Sequence, residues 1–552
     1  MGIKWLYKII IIKNYNEKKG IDLSSLDYIV VILYFLIISV IAYFSSKKAN
    51  SVKNYFLAGR DVGFFAVGAS LFASNIGSEH LVGLAGSGAS SGLAVAHFEL
   101  LAVFILIILG YIFAPFYFKA NVYTMPEYLE KRYSKASRIY LSSVSIIGYV
   151  LTKISVTLFA GGIILNAVLG VDPLIGSLLL ILFTGIYTIL GGLNSVIYTE
   201  VIQTVLMILG SFLVLLFGLN AVGGYHELVS KLPHDYFSMW KGIDHPEFPF
   251  TGILLGAPIL GIWYWCTDQY IVQRVLAAKD IEQARGGTIF AAFLKILPLF
   301  IFVFPGLIAY ALYPEIVKQQ PDKALPLLII NILPIGVKGL VIAGFLAALM
   351  SSLASTFNSC STLLTLDIYK LFKKDANEKE LLIFGKVTTV LLVFLGILWI
   401  PMMKYISSKM YVYLQSVQAY IAPPIAAVFI MGLIYKKATP TASIFTLISG
   451  FILGMLRLIL EINKEHINIH FIKIFATINF LHFAFLLFCF SCMLIIIISL
   501  LTYRKENENP YVKELTIDKE TIINEILKSN IYHKIFAFIA MFIVFAIWYI
   551  YR

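Results

Sequence analysis

The chain is 552 residues long, 59% hydrophobic and only 13% charged, with a mean hydropathy of +0.86, which excludes an ordinary soluble domain and a disordered chain. Its net charge of +12 is carried by short loops between apolar runs, so nucleic acid is excluded as a partner. The runs are continuously apolar without period-2 alternation, which excludes a β-barrel and leaves an all-α integral membrane protein whose backbone is satisfied as helices in the lipid bilayer.

Residues 1–25 form an N-terminal tail rich in lysine, and its apolar run at 9–12 is too short for a signal peptide. Segments of about 20 apolar residues, the length that crosses a bilayer, then recur. Spans are expected near 26–45, 62–88, 92–118, 137–168, 172–190, 196–223, 249–271, 286–313, 325–366, 383–403, 411–434, 442–460, 470–501 and 534–550. That makes about fourteen helices in a single transmembrane domain over 26–552. Alternating spans put the loops with Lys47, Lys53 and Arg60, with Lys131, Arg132 and Arg138, with Arg274 and Lys279, and with Lys370 and Lys374 on one side. The positive-inside rule makes that side cytoplasmic and both termini external, against the preference of the basic tail itself. Cys266, Cys360, Cys489 and Cys492 all fall inside apolar segments without metal or redox context, so core packing is expected of them.

The second segment carries the polar island FASNIGSEHLVG, 72–83. Charges at membrane depth need a partner or a water-filled cavity. Close packing explains Gly86 to Gly88 but not Glu79 and His80. A helix that unwinds near Ala73 to Gly77 does, because it frees carbonyls and half-helix ends to line a cavity. Inverted repeats place a second broken helix five spans later, where GAPILGIWYWCTDQY supplies Gly256, Pro258 and Gly261 and then Thr267, Asp268 and Gln269. Trp263, Tyr264 and Trp265 lie mid-segment, where a ring stacks on a solute instead of belonging to an interfacial belt. A third island, AALMSSLASTFNSCSTLLTLD, sets Ser351 and Ser352 one turn after Ala348. Hydroxyls and carbonyls without a carboxylate suit a monovalent hard cation, sodium by preference. His97 is expected to pack, Lys153 is buried with no partner that the sequence names, and 504–534 reads as a cytoplasmic linker.

NYFLAGR, SNIGSEHLVGLAGSG, YTMPEYLEKRY, GGLNSVIYTE, WYWCTDQYIVQR, LMSSLAS, FNSCSTLLTLDIY and QAYIAPPIAAVF occur in that order between about Tyr55 and Arg457. This series resembles the sodium/solute symporter family, and within it the sodium/glucose cotransporter branch. The resemblance implies a LeuT-type five-plus-five inverted-repeat core over about 60–434 with discontinuous first and sixth core helices, one added helix before it at 26–45 and three after it within 442–550. It implies a sodium site made by the backbone oxygens of Ala73, Ile76 and Ala348 with the hydroxyls of Ser351 and Ser352, and a solute site made by Asn75, His80, Glu99, Tyr264, Trp265, Lys295 and Gln415. Tyr264 would be the inner gate against the pyranose ring. The implied function is sodium-coupled symport of a neutral, glucose- or galactose-like sugar across the cell membrane, with no enzymatic step. SNIGSEH also resembles the myo-inositol branch, so a polyol is the alternative, and a sugar sensor or ion-conducting protein on the same scaffold is another. Three positions depart from the pattern: Gly261 lacks a hydrogen-bonding side chain, Glu200 replaces an Asp, and Ala354 lacks the hydroxyl of members with a second sodium site. One sodium per solute is therefore expected.

Overall fold

The computed structural model describes residues 23–399, 410–504 and 510–552; most of the expected tail 1–25 and the end of the span expected at 383–403 lie outside them. Among the described residues twelve helices are long and apolar enough to cross a membrane, and no strand is present, the only β pairings being two isolated bridges. The protein is a multi-pass membrane protein.

Two of the twelve change direction at glycine. Pro173–Val222 turns at Gly192 (φ 52°, ψ −146°), and Glu79–Ala120 turns at Gly92 (φ 72°). Only glycine serves there: a Cβ would lie 2.4 Å from the Tyr55 carbonyl oxygen at Gly192 and 2.3 Å from that of Tyr236 at Gly92. The expected boundaries at 190/196 and 88/92 fall on these turns.

Two expected spans are shorter than the sequence suggests. The segment 325–366 divides into Ala324–Ile332 and Val337–Thr362 because Pro334 and Gly336, at φ 85°, end one helix before the next begins. The segment 470–501 divides into His470–Thr477 and Phe480–Thr502, the second capped by the Asn479 side chain accepting from Leu481 N at 2.9 Å.

Burial separates a centre from a rim. The most hydrophobic stretch of Val337–Phe372 is 94% buried and that of Ile281–Leu312 83%, against 22% for both Ser25–Ser46 and Ile531–Ile550. The helix carrying Ser351 and Ser352 packs against Pro173–Val222, Ser25–Ser46 and Phe64–Asn75. Gly88 and Gly306 let the backbone of Ala85–Ser91 approach that of 303–312, and Gly86 does the same against Pro321, the packing expected of that stretch.

The basic loops share one face. Lys47, Lys48, Lys53, Arg60 and Lys279 line one groove there, and Lys135, Arg138, Lys370 and Lys374 line another. The stretch expected to be a plain linker is docked instead: Ile517 N donates to Leu433 O at 2.7 Å, and Arg285 pairs with Glu525. One of its charges, Glu525, serves the docking, which no local pattern announces.

Candidate functional site

Phe64–Asn75 ends at Ile76, whose backbone is extended (φ −73°, ψ 111°), and the chain resumes as a wide π-type turn at Glu79–Leu84. Ser74 Oγ bonds back to the Ser70 carbonyl at 2.6 Å, which weakens the helix ladder just before the break. The second interruption falls at Asp268 (φ −79°, ψ 127°), between the π-type turn Ile262–Thr267 and Gln269–Leu276, which Asp268 caps through Tyr270 N at 3.2 Å. Both expected broken helices are therefore broken, each beside a π-type turn of the kind common at functional sites.

On one face of the first break, Ser351 Oγ lies 2.8 Å from the Ala73 carbonyl oxygen and 2.9 Å from that of Ala348. Ala73, Ile76, Ala348, Ser351 and Ser352 are all buried. Tyr270 joins them, its hydroxyl bonding the Ser74 carbonyl and lying 3.0 Å from Ser352 Oγ. Neutral carbonyl and hydroxyl oxygens brought together in this way are a donor set for a hard monovalent cation.

The other face opens on a cavity of about 60 Å³ lined by all seven residues of the expected solute site, Asn75, His80, Glu99, Tyr264, Trp265, Lys295 and Gln415. Asn75 Nδ2 donates to the Tyr264 hydroxyl at 3.1 Å, and Lys295 Nζ donates to Asn75 Oδ1 at 2.6 Å. Lys295 also pairs with Glu99, which accepts from His80 Nε2 at 3.2 Å. His80 Nδ1 is buried without a hydrogen-bond partner among the described residues. The Lys295 ammonium stands 5.5 Å from the centre of the Trp265 ring, within cation–π range.

Phe98, Leu101, Ile105, Ala257, Leu260, Gly261 and Gln418 complete the walls together with Glu79. Gln418 sits one helical turn after Gln415 and Glu79 directly precedes His80, so both were within reach of a positional argument. The apolar wall carries no such mark. Gly261, the expected missing contact, faces Ile105: a Cβ there would lie 2.1 Å from Ile105 Cδ1, so that side chain takes the space.

The two residues without a role in the sequence both find partners. Lys153 Nζ donates to Glu79 Oε1 at 2.5 Å. Glu200 accepts from Arg274 Nη2 at 3.1 Å and from Ser355 Oγ at 2.6 Å, and it also bonds Ser70. His97 lies outside the cavity lining, with Nε2 3.1 Å from Met239 O and its ring 4.5 Å from that of Trp240, in keeping with packing. The four cysteines are unpaired, Cys266 and Cys360 fully buried and the other two partly.

A polar, charge-balanced cavity held between two interrupted membrane helices defines a solute-carrying membrane protein. The chain belongs to the sodium:solute symporter family, whose profile matches residues 55–450. Sodium/glucose cotransporter 1 of Mus musculus is 39% identical over 526 residues, covering 87% of this chain and 79% of its own length. Sodium/myo-inositol cotransporter 2 of Bos taurus is 42% identical over 475 residues, covering 80% of this chain and 70% of its own. Among solved structures, a substrate-bound, outward-open Na+-coupled sialic acid symporter superposes with a TM-score of 0.72 at 22% identity, over 87% of this chain and 98% of that one. The nucleobase-cation-symport-1 family transporter Mhp1 superposes at 0.53 with 14% identity, over 85% of this chain and 99% of its own. These two likenesses establish the LeuT-like fold.

Proposed function

We propose that the protein is a sodium-coupled symporter that carries a neutral, glucose- or galactose-like sugar into the cell by alternating access, with one sodium per sugar. The observation that carries this reading is that a single helix break offers neutral oxygens on one face and the polar cavity on the other. Sodium bound by Ala73, Ile76, Ala348, Ser351 and Ser352 holds the break in the form that presents Asn75 and Tyr264 to the sugar. Binding of one ligand then favours the other by population shift. Every carboxylate of the cavity is paired with a lysine, Glu99 with Lys295 and Glu79 with Lys153. A neutral polyhydroxylated solute suits such a lining, since hydroxyls are read by paired donors and acceptors.

The architecture that goes with this function is a single membrane domain over 26–552, its inverted-repeat core at about 60–434. Counting Gly92 and Gly192 as turns between crossings raises the twelve apolar helices to fourteen. The basic face is cytoplasmic, and the membrane is the cell membrane. Transport alters no bond in the solute, so the protein is no enzyme.

Purified protein in liposomes, given labelled galactose or glucose under an inward sodium gradient with potassium as control, tests the reading. Sodium-dependent accumulation is expected, with about one charge moved per sugar. Binding without accumulation would replace symport with a sensor. The myo-inositol relative resembles the chain to a similar degree as the glucose one, which makes a polyol the second reading, and preferential accumulation of myo-inositol would decide for it.

A further inference from the structure

The Lys153–Glu79 pair bridges the first broken helix to 135–169 beside the cavity, and its surroundings tie it to both proposed sites. Glu79 lines the cavity. Its Oε2 also lies 3.5 Å from the point where a Gly77 Cβ would stand, and Ser352 Oγ lies 3.0 Å from that same point. The carboxylate therefore borders the serine that the ion reading uses. The Lys153 ammonium stands 5.2 Å from the Tyr264 ring centre and 5.1 Å from that of Tyr270, and Tyr270 reaches Ser352. Both partners are nearly enclosed, with side chains 8% and 11% exposed, so water screens their charges weakly. Glu200 and Arg274, the latter also bonded to the Tyr270 carbonyl, neutralise each other.

We propose that Glu79 and Lys153 are positioning residues that set the electrostatic field at the ion site, so that sodium affinity follows the balance of this one ion pair. The proposal rests on the reading of the Ser351/Ser352 region as a sodium site. An anion here attracts the incoming ion, a cation repels it, and the pair holds the two effects nearly equal. The solute sits against the same pair through Tyr264, and sodium and solute are thereby linked through charge as well as through the helix break.

The test is sodium titration of the purified protein in detergent without solute, read as thermal stabilisation, which follows occupancy of the folded state. Glu79→Gln leaves the ammonium uncompensated, and the sodium midpoint is expected to rise about tenfold; Lys153→Gln leaves the carboxylate, and the midpoint is expected to fall by about the same factor. The double variant is expected within about twofold of the original. Opposite shifts are what a purely structural role would not produce. Single variants that move the midpoint in the same direction, or not at all, overturn the proposal. If one single variant does not fold, the other and the double variant decide: a shift of the expected sign in the single variant that the double variant abolishes supports compensation, and no shift in the single variant, or an equal shift in both, overturns it. Absence of any sodium stabilisation in the unaltered protein would overturn the sodium reading itself, an outcome distinct from all of these.

Discussion

The two faces of the first helix break are built from opposite materials. Toward Ser351 and Ser352 the neighbours are carbonyls and hydroxyls, and toward Lys295 they are full charges in pairs. Neutral dipoles hold a single positive charge without a competing counter-ion, whereas paired charges present many fixed donors and acceptors with almost no net charge. The difference teaches that one backbone interruption can serve an ion and a polar solute, provided dipoles line one side and the charges of the other are held in pairs.

The sharpest way to break this contrast is to unbalance the charged face. Lys295→Met leaves Glu99 buried without its cation, a loss of about 3–5 kcal/mol. Equilibrium binding of labelled sugar should fall more than about a hundredfold while the sodium midpoint changes less than about threefold. A matching loss of sodium affinity would mean that the two faces are a single site.

Next in size is the neutral face. Ser351→Ala removes the hydroxyl that lies against both Ala73 and Ala348, and the sodium dependence of uptake should shift by roughly thirtyfold, with sugar binding retained at saturating sodium. Uptake with unchanged sodium dependence would remove Ser351 from the ion site.

Tyr264→Phe deletes a single neutral hydrogen bond, that from Asn75, and should weaken sugar binding by about 1 kcal/mol, roughly fivefold. His97→Phe, outside both faces, should leave both affinities within about twofold and lower the unfolding temperature slightly, by loss of one hydrogen bond of about 1 kcal/mol. A larger change in sugar affinity would extend the site to the loop at Met239 that His97 touches.

Much of this was legible in the chain. Continuous apolar runs of bilayer length located the membrane helices, the islands around Asn75 and Tyr264 pointed to the cavity, and the one around Ser351 to the oxygen cluster beside it, because polar groups at membrane depth rarely serve packing alone. The failures have physical causes. Hydropathy merges Ala324–Ile332 with Val337–Thr362 because Leu333, Pro334 and Ile335 are themselves apolar, although Pro334 and Gly336 stop the helix. The cavity wall of Phe98, Leu101 and Ile105 went unmarked because an apolar residue facing a solute looks like one facing lipid.

By itself the sequence determined which segments enter the membrane and where their helices fail, because hydrophobic transfer and backbone hydrogen bonding act over single segments. It could also place the polar residues at those failures. Only the tertiary structure decided the pairings: Lys153 with Glu79, 74 residues apart in the chain, and Lys295 with Glu99, 196 residues apart. A buried charge needs a partner but carries no record of which one. That choice belongs to the packing of helices remote in the chain.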